Sequence, residues 1–364
     1  MRKVFTLILM LCLLEFAQPG TAQTNPAQEA DVKGRQAIQL MDAEQYDEAI
    51  QLLQEASRLN PKNSIYGYEQ AYAYFLKGDK KTAIALFQKL VKAPDANDQY
   101  FQMLGNFLSM DGNPGKAAAA YDAGLKKFPN SGRLYLEKGN LLAHEQKYKE
   151  ALTFYEKGIE VEPTYPSNYL RAAEIYLNSQ EEVWGMLYGE LFMNLERNTE
   201  RTGQMSKLLF DTYKREIKFT SDTSFSVSFS KNNVISLGGS KKMPILHIPF
   251  GVGAYEPTLM TALLHEKQIN LASLSRTRER FIQQYFQSPW AKKFPNALFS
   301  YQQEILEAGH LEAYNHWILM MGDEQEFAQW QEANQEKWTA FLNWFPSHGL
   351  RLNQNHKFYR AQYN

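Results

Sequence analysis

The 364-residue sequence predicts a mainly α-helical protein, in which an α-solenoid of about five helical hairpins and a capping helix precedes a smaller, mostly helical domain with a short β-hairpin. Three observations predict this fold. Small residues recur every 34 residues, and large apolar residues recur with the same period. The periodicity stops near residue 219, where apolar and hydroxyl side chains begin to alternate. The predicted boundaries are 1–22 for a signal peptide, 29–218 for the solenoid with its capping helix, and 219–364 for the C-terminal α+β domain.

The first 22 residues have the pattern of a secretory signal. Arg2 and Lys3 precede an apolar run over residues 4–14, and a small residue, Ala22, fits the cleavage rule. We therefore expect a mature chain that begins at Gln23, in an exported protein that is periplasmic, associated with the cell envelope or secreted. An uncleaved anchor is the alternative, but the apolar run is short for a bilayer. No other stretch predicts a membrane span.

The only cysteine, Cys12, lies inside this apolar run. Lipidation there is disfavoured, because Leu11 stands where a lipoprotein signal carries a small residue. The expected mature chain has no cysteine and therefore neither disulfides nor thiol chemistry. The formal net charge of −1 shows no basic excess, so nucleic acid is not an expected partner.

Three columns of residues define the repeat. The small columns are Ala37, Ala71, Gly105, Gly139 and Ala173, and Ala49, Ala83, Ala117, Ala151 and Gly185; the large column is Leu40, Tyr74, Leu108, Leu142 and Tyr176. We expect small residues where paired helices cross closely, because a larger side chain would push the backbones apart. The large residues fill the space between successive hairpins. Prolines end four of the second helices, at Pro61, Pro94, Pro129 and Pro163.

The third and fourth units carry the most specific pattern. They read Phe101-x-x-Leu104-Gly105-x-x-Leu108 and Tyr135-x-x-Lys138-Gly139-x-x-Leu142. Over about residues 29–197 the chain resembles the tetratricopeptide repeat family, which implies stacked helical hairpins that bind proteins or peptides. The fifth unit departs from the pattern around Trp184, Gly185 and Gly189, which predicts a modified hairpin. An amphipathic helix over 199–218 is expected to cap the stack.

The second half predicts short strands and then helices. Strands are predicted over 225–229 and 245–248, a surface turn over 238–242, and a loop over 250–253. Helices are predicted over 259–269, 273–286, 298–307, 311–321 and 324–345. With segments such as Glu307 to Trp317, this half resembles uncharacterised exported tetratricopeptide proteins of Bacteroidetes. That resemblance implies an architecture and a lineage, but no activity.

The resemblance also implies a concave face lined by the first helix of each hairpin. By phase, the candidate partner-binding residues on that face are Tyr68, Tyr72, Phe75, Gln102, Asn106, Arg133, Asn140 and Glu174. Asn106 and Asn140 could bind an extended peptide backbone, because an amide offers both a donor and an acceptor. They could instead satisfy neighbouring helices. Gln102 stands where the chaperone-binding members carry a lysine, so capture of a C-terminal carboxylate is not expected.

No motif predicts a catalytic residue, a metal or another cofactor. His265-Glu266 lacks the second histidine of a zinc-protease helix, because position 269 is Ile269. His310 and His316, near Glu307 and Glu312, form a conceivable metal set, but a polar helix junction is the simpler interpretation.

Arginine and tryptophan side chains in this half predict surface and core, respectively. Arg276, Arg278 and Arg280 are predicted to lie on a solvated surface with Glu279 as a local partner. A sugar-binding aromatic surface is the alternative for the tryptophans, but their helical spacing favours an apolar core stripe. These tryptophans are Trp317, Trp330, Trp338 and Trp344.

The leading hypothesis is an exported interaction module or scaffold that binds a protein or peptide through the concave surface. In the alternative, the C-terminal half is an uncharacterised enzyme or small-ligand-binding domain that the repeats recruit. An architectural subunit of an envelope complex is the third hypothesis. One pocket that gathers several of His247, His265, His310, Glu307 and Glu312 would favour the enzyme.

Overall fold

The computed structural model describes residues 25–221, 224–231, 236–240 and 243–363. The predicted signal peptide and Cys12 therefore lie outside the described residues. The chain divides into two compact units between Asp95 and Ala96. Residue 219, where the sequence pattern changes, lies within the second unit.

The described part of the first unit, residues 25–95, consists of two helical hairpins. Its helices are α1 (Pro26–Asp42), α2 (Tyr46–Leu59), α3 (Ile65–Leu76) and α4 (Lys80–Leu90). Pro26 occupies the first turn of α1, where its missing N–H breaks no helical bond, and the Asn25 side chain caps that turn. The core of this unit includes Ala37, Leu53 and Ala73, each with no exposed surface.

The second unit begins with three further hairpins and a single helix. These helices are α5 (Asp98–Met110), α6 (Pro114–Lys127), α7 (Gly132–His144), α8 (Tyr148–Val161), α9 (Pro166–Tyr176), α10 (Glu182–Leu195) and α11 (Glu200–Glu216). Five hairpins and the predicted capping helix, α11, are thus present. The mainly α-helical solenoid predicted from the 34-residue columns is confirmed.

The columns of small residues lie where they were expected, at buried helix crossings. A Cβ atom added to Gly105 would lie 2.1 Å from Cε1 of Tyr121, and one added to Gly139 would lie 2.3 Å from Cε1 of Tyr155. The tyrosine rings on the second helices therefore lie directly against the bare backbone of the first helices. This close approach explains why the third and fourth hairpins carry glycine in that column.

The turns inside the first four hairpins repeat as well. Glu44, Gly78, Gly112 and Gln146 all have positive φ, at 58°, 95°, 76° and 61°. Each is followed by a residue whose N–H closes back on the helix, as in the bond from Asp79 N to Tyr74 O at 2.9 Å. This left-handed residue ends the first helix of each hairpin and starts the reversal.

The fifth hairpin is modified, as its sequence predicted, because α10 is surrounded on all sides. Every residue of α10 from Glu182 to Asn194 is buried. Gly185 allows α10 to approach Leu177, and Gly189 allows it to approach Met205 on α11. One hydrophobic core extends from Leu136 to Phe358, so α10 belongs both to the solenoid and to the helices that follow.

The strands form two hairpins rather than one. Strand β1 (Ile217–Ser221) pairs antiparallel with β2 (Ser224–Val227), and β3 (Ser236–Ser240) pairs antiparallel with β4 (Met243–His247). The predicted strands correspond to β2 and β4. Their partners were missed. The first two residues of β1 were assigned to the capping helix, and three of the five residues of β3 were assigned to a turn. Both lie next to turn or helix signals that masked a strand of only five residues.

The remaining elements are helical. They are a π-helical turn (Gly251–Tyr255), α12 (Glu256–Leu263), α13 (Leu271–Gln287), α14 (Trp290–Lys293), α15 (Ala297–Glu307), α16 (Leu311–Leu319), α17 (Glu324–Ala333) and α18 (Gln335–Trp344), with short 3-10 turns at Met320–Gly322 and Arg360–Tyr363. Among the described residues, no helix is both long and apolar enough to cross a membrane.

Two secondary-structure predictions in this half were wrong. The loop predicted over 250–253 is helical, and its glycines serve packing, since a Cβ on Gly251 would lie 1.9 Å from Oγ of Ser230. The single helix predicted over 324–345 is two helices. Asn334 breaks it, because its Nδ2 donates to the carbonyl oxygen of Trp330 at 2.9 Å and competes with the helical backbone.

A buried ion pair joins α10 to the helices around it. Nη1 and Nη2 of Arg278 donate to the two carboxylate oxygens of Glu190 at 2.9 and 2.5 Å, and these side chains are 8% and 5% exposed. Gln302 and Tyr314 also donate to Oε1 of Glu190, at 2.5 and 2.8 Å. Nε of Arg278 donates to Asn315 at 2.7 Å. Five buried side chains on four helices thus form one network.

The prediction that all three arginines of α13 are solvated was therefore wrong. Arg278 is buried, while Arg276 and Arg280 lie one turn apart and both bind Glu266. The helix predicted over 259–269 ends early, at Leu263. Glu266 lies in the segment after α12, where its carboxylate accepts from both arginines. Glu279, the partner predicted for these arginines, accepts instead from Gln283 at 3.3 Å.

The pairing of Glu266 makes stability depend on pH. Burial raises the pKa of Glu266, but hydrogen bonds from Arg276 and Arg280 outweigh burial, so its pKa is lowered. Because the folded pKa lies below the unfolded value of about 4.3, this stabilisation is complete above that value and is lost as the pH falls through the folded pKa. We expect the free energy of unfolding of Glu266→Gln to fall less steeply than that of the wild type between about pH 5 and pH 3.

Urea unfolding at a series of pH values, followed by tryptophan fluorescence, measures this slope. Exposed Glu332→Gln controls for the loss of one carboxylate and should keep the wild-type slope. Equal slopes for Glu266→Gln and the wild type would contradict the pairing.

Candidate partner-binding groove

A groove of about 720 Å³ opens between the fourth and fifth hairpins, within the second unit. We call it the α8 groove. Its lining residues come from α7, α8, α9 and the turn that follows α9: Asn140, Ala143, Tyr148, Lys149, Leu152, Tyr155, Arg171, Glu174, Ile175, Asn178 and Ser179. It contains two of the predicted partner-binding residues, Asn140 and Glu174. Apolar and polar groups line it together, as is common in sites that bind ligands.

A polar chain connects predicted residues of the third and fourth hairpins. Nε2 of Gln102 donates to Oε1 of Glu137 at 2.6 Å, and Nδ2 of Asn140 donates to Oε2 of the same carboxylate at 3.1 Å. Glu137 was not among the predicted residues. Its neighbour Leu136 is buried, at 7% exposure.

The two predicted asparagines have structural partners, which was the alternative expected for them. The hydroxyl of Tyr121 donates to Oδ1 of Asn106 at 2.5 Å, and that of Tyr155 donates to Oδ1 of Asn140 at 3.0 Å. Burial raises the pKa of both tyrosines, which keeps the hydroxyls protonated as donors. These bonds occupy the amide oxygens. Because Nδ2 of Asn140 also donates one hydrogen to Glu137, its amide keeps one N–H as a donor.

The fifth hairpin adds a charged pair and a second opening. Nη1 of Arg171 donates to Oε2 of Glu174 at 2.8 Å, with both side chains half exposed. Glu174 also lines an opening of about 350 Å³ with residues of α11, including Arg201, Met205 and Leu208. The accessible surface therefore continues on both sides of Glu174, from α8 to α11.

Four further predicted residues do not line the α8 groove. Tyr68, Tyr72 and Phe75 are half-buried on α3, in the first unit, where Tyr68 packs edge-on against Phe87 with ring centroids 5.4 Å apart. Arg133 is half-buried at the start of α7. Burial raises the pKa of Tyr165, and the positive charge of Arg133 opposes that rise.

Sequence reasoning missed the contribution of α8. Tyr148, Lys149 and Leu152 face the groove from the second helix of the fourth hairpin, whereas only first helices were expected to line it. Tyr148 is half exposed at the first position of α8. A large aromatic residue at an exposed helix start is the signal that could have identified it.

The candidate catalytic and metal residues have separate neighbours. His265 is exposed, Glu307 accepts from Gln303 at 2.9 Å, and the structure leaves the side chain of His247 undescribed. The ring of His310 lies 5.0 Å from that of Trp344. No group of three metal-ligating side chains occurs in the described ranges.

His316 and Glu312 take part in packing with the tryptophans. His316 stacks on Trp330 at 3.9 Å, and its Nδ1 lies 2.8 Å from the carbonyl oxygen of Glu312. The Glu312 carboxylate accepts from Trp330 and Lys337 at 3.0 and 2.6 Å. Burial lowers the pKa of His316. Trp317 is buried, and the other tryptophans pack partly buried on the core, as the core-stripe interpretation expected.

Comparison with known proteins identifies the repeat. Residues 35–98 and 110–168 match the family described as tetratricopeptide repeat, and these segments contain the second half of α1, all of α2 to α4, and α6 to α8. The chain is similar to PilF of Pseudomonas aeruginosa at 17% identity, over 52% of this chain and 85% of that chain, with a TM-score of 0.43. It is similar to a thermophilic TPR protein of Thermus thermophilus at 17% identity, over 50% and 98%, with a TM-score of 0.40. For YrrB, a TPR protein with an unusual peptide-binding site, the identity is 20%, over 47% and 89%, with a TM-score of 0.33. Comparison with curated proteins gave no match.

Proposed function

We propose that this protein is an exported interaction module that binds an extended segment of a partner protein in the α8 groove. A tetratricopeptide-type fold is typical of scaffolds for protein–protein interaction, and this coarser role follows from the fold. Export and peptide binding are proposed beyond that role. The observation that supports peptide binding is the α8 groove itself, an accessible surface with apolar walls and amide donors on two packed hairpins.

The side chains of the groove suit a peptide in two ways. Tyr148, Leu152 and Ile175 offer apolar area for one or two anchoring side chains of the partner. The amides of Asn140 and Asn178 each donate one N–H within the protein, to Glu137 and to the carbonyl oxygen of Glu174, and the second N–H of each can donate to backbone carbonyls of an extended chain. Because packed helices hold these groups, binding requires little reorganisation of the protein.

The charge of the groove favours a segment with little net charge. Arg171 and Glu174 neutralise each other, which leaves Lys149 as the remaining charged residue among those lining the groove. The pattern of residues 1–22 supports export, so the partner would be a periplasmic, envelope or secreted protein. The resemblance of the C-terminal half to exported proteins of Bacteroidetes agrees with that location.

Selection from a displayed library of linear peptides tests the proposal. We expect the purified protein to enrich peptides with an apolar residue, and Tyr148→Ala to weaken their binding about tenfold or more, because it removes an exposed aromatic anchor. Fluorescence polarisation with labelled peptides measures the dissociation constants.

Phe286→Ala is the matched control. Phe286 is also a partly exposed aromatic residue, but it lies on α13 outside the groove. Its removal should change peptide affinity by less than about twofold. Failure to enrich any peptide, or equal losses for both variants, would contradict the proposed role of the groove.

A further inference from the structure

A second pocket, of about 590 Å³, lies at the start of α15. We call it the α15 pocket. The first turns of α15 form one wall, and the segment that follows α18 forms the other. Tyr301 on α15 joins the walls, because its hydroxyl donates to the carbonyl oxygen of His348 at 2.8 Å.

The charged side chains of the α15 pocket are mostly cationic. Arg351 is exposed and has no carboxylate partner within the described part of the chain. Nζ of Lys357 donates to neutral acceptors, the carbonyl oxygen of Glu160 at 3.3 Å and Oε1 of Gln354 at 3.5 Å. Glu304 is the one carboxylate among the described lining residues, so the two cations exceed it by one charge.

A buried donor also lines this pocket. Asn296 is 3% exposed, and its Oδ1 caps α15 by accepting from the backbone N–H groups of Leu298 and Phe299 at 3.0 and 3.2 Å. Its Nδ2 has no acceptor within 3.5 Å among the described residues, and its interaction with the hydroxyl of Tyr363 is a longer side-chain hydrogen bond that acts to lower the pKa of Tyr363. Buried donors in proteins normally have an acceptor, so Nδ2 is a position where a ligand acceptor would fit.

The helix itself adds positive potential at the same place. The α15 helix has eleven residues, and its N-terminal end carries the positive end of the helix dipole. An aromatic surface lies on the opposite wall. There the ring of His348 stacks on that of Trp344 at 4.4 Å with an interplanar angle of 5°.

We propose that the α15 pocket binds a small organic anion through a carboxylate or phosphate group. The charged group is held by Nδ2 of Asn296, by Arg351 and by Lys357 at the N-terminal end of α15. The organic part of the ligand lies against Trp344. This assignment is independent of the α8 groove, which shares no lining residue with the pocket.

Calorimetric titration of the full chain with benzoate and phenyl phosphate tests the proposal, with benzyl alcohol as the neutral analogue. We expect both anions to bind and the alcohol not to bind, and the tighter anion to identify the preferred group. Binding should weaken as the salt concentration rises, because salt screens the cations. If neither benzoate nor phenyl phosphate gave heat up to about 10 mM, the proposal would be overturned.

Three variants locate the site. Asn296→Asp keeps the oxygen that caps α15 but replaces the donor by a negative oxygen, so we expect the affinity for the anions to fall about tenfold or more. Arg351→Gln changes an exposed side chain and should cause a similar loss without affecting folding. Lys292→Gln removes an exposed cation outside the pocket and should leave binding within about twofold. Unchanged binding in Asn296→Asp and Arg351→Gln, or an equal loss in Lys292→Gln, would also overturn the proposal.

Discussion

Arg278→Met should lower the free energy of unfolding of the second unit by about 3–5 kcal/mol. The reason is the environment of Glu190, which would stay buried at 5% exposure without its cation. Gln302 and Tyr314 would still donate to one of its oxygens, but neither carries a compensating charge. A buried charge without a partner is among the most destabilising changes a single substitution makes.

Urea unfolding followed by tryptophan fluorescence measures this loss in the second unit alone. All six tryptophans, Trp184, Trp290, Trp317, Trp330, Trp338 and Trp344, follow residue 95. Arg171→Met is the control, because it breaks the half-exposed pair with Glu174 and should lower stability by no more than about 1 kcal/mol. Similar losses in the two variants would show that burial does not distinguish the pairs.

The second large effect is expected from Gly105→Ala. The added Cβ would lie 2.1 Å from the ring of Tyr121, which is 1% exposed and tied through its hydroxyl to Asn106. The ring cannot withdraw without losing that hydrogen bond and moving α6. We expect the free energy of unfolding to fall by about 1–3 kcal/mol, even though alanine favours a helix over glycine by about 1 kcal/mol.

Gly115→Ala on α6 is the matched control, since no atom lies within 4 Å of its added Cβ. We expect it to be neutral or to raise stability by up to about 1 kcal/mol. The double variant Gly105→Ala/Tyr121→Leu should recover part of the loss, because the first hairpin carries Ala37 and Leu53 two 34-residue repeats before Gly105 and Tyr121. Gly105→Ala as stable as the wild type in urea would contradict a close crossing of these helices.

Local periodicity explains why the solenoid could be predicted from sequence. The third and fourth hairpins repeat the same crossing, as Gly105 with Tyr121 and Gly139 with Tyr155 show, and the 34-residue columns predicted the arrangement of the helices. The residues that line the α8 groove were predicted less completely. Phase identified Asn140 and Glu174, but it could not show that α8 contributes Tyr148.

Contacts between distant parts of the chain were beyond such reasoning. Glu190 and Arg278 are 88 residues apart, and nothing in the spacing of Arg276, Arg278 and Arg280 indicates that only the middle one is buried against α10. Glu266 was considered only with its neighbour His265, whereas its partners lie 10 and 14 residues further on. The charge of a residue is visible in the sequence, but its partner depends on how the helices pack.

The complete burial of α10 has a consequence for how this array can change in length. A stack of identical hairpins behaves like a polymer, and duplication of a unit at a free end adds another layer. From Glu182 to Asn194 this helix has no open side on which a further layer could settle. No further hairpin can therefore stack on that end of the array. Gain or loss of whole 34-residue units in related chains should therefore fall before α9, while the stretch from α9 to the C-terminus keeps a constant length.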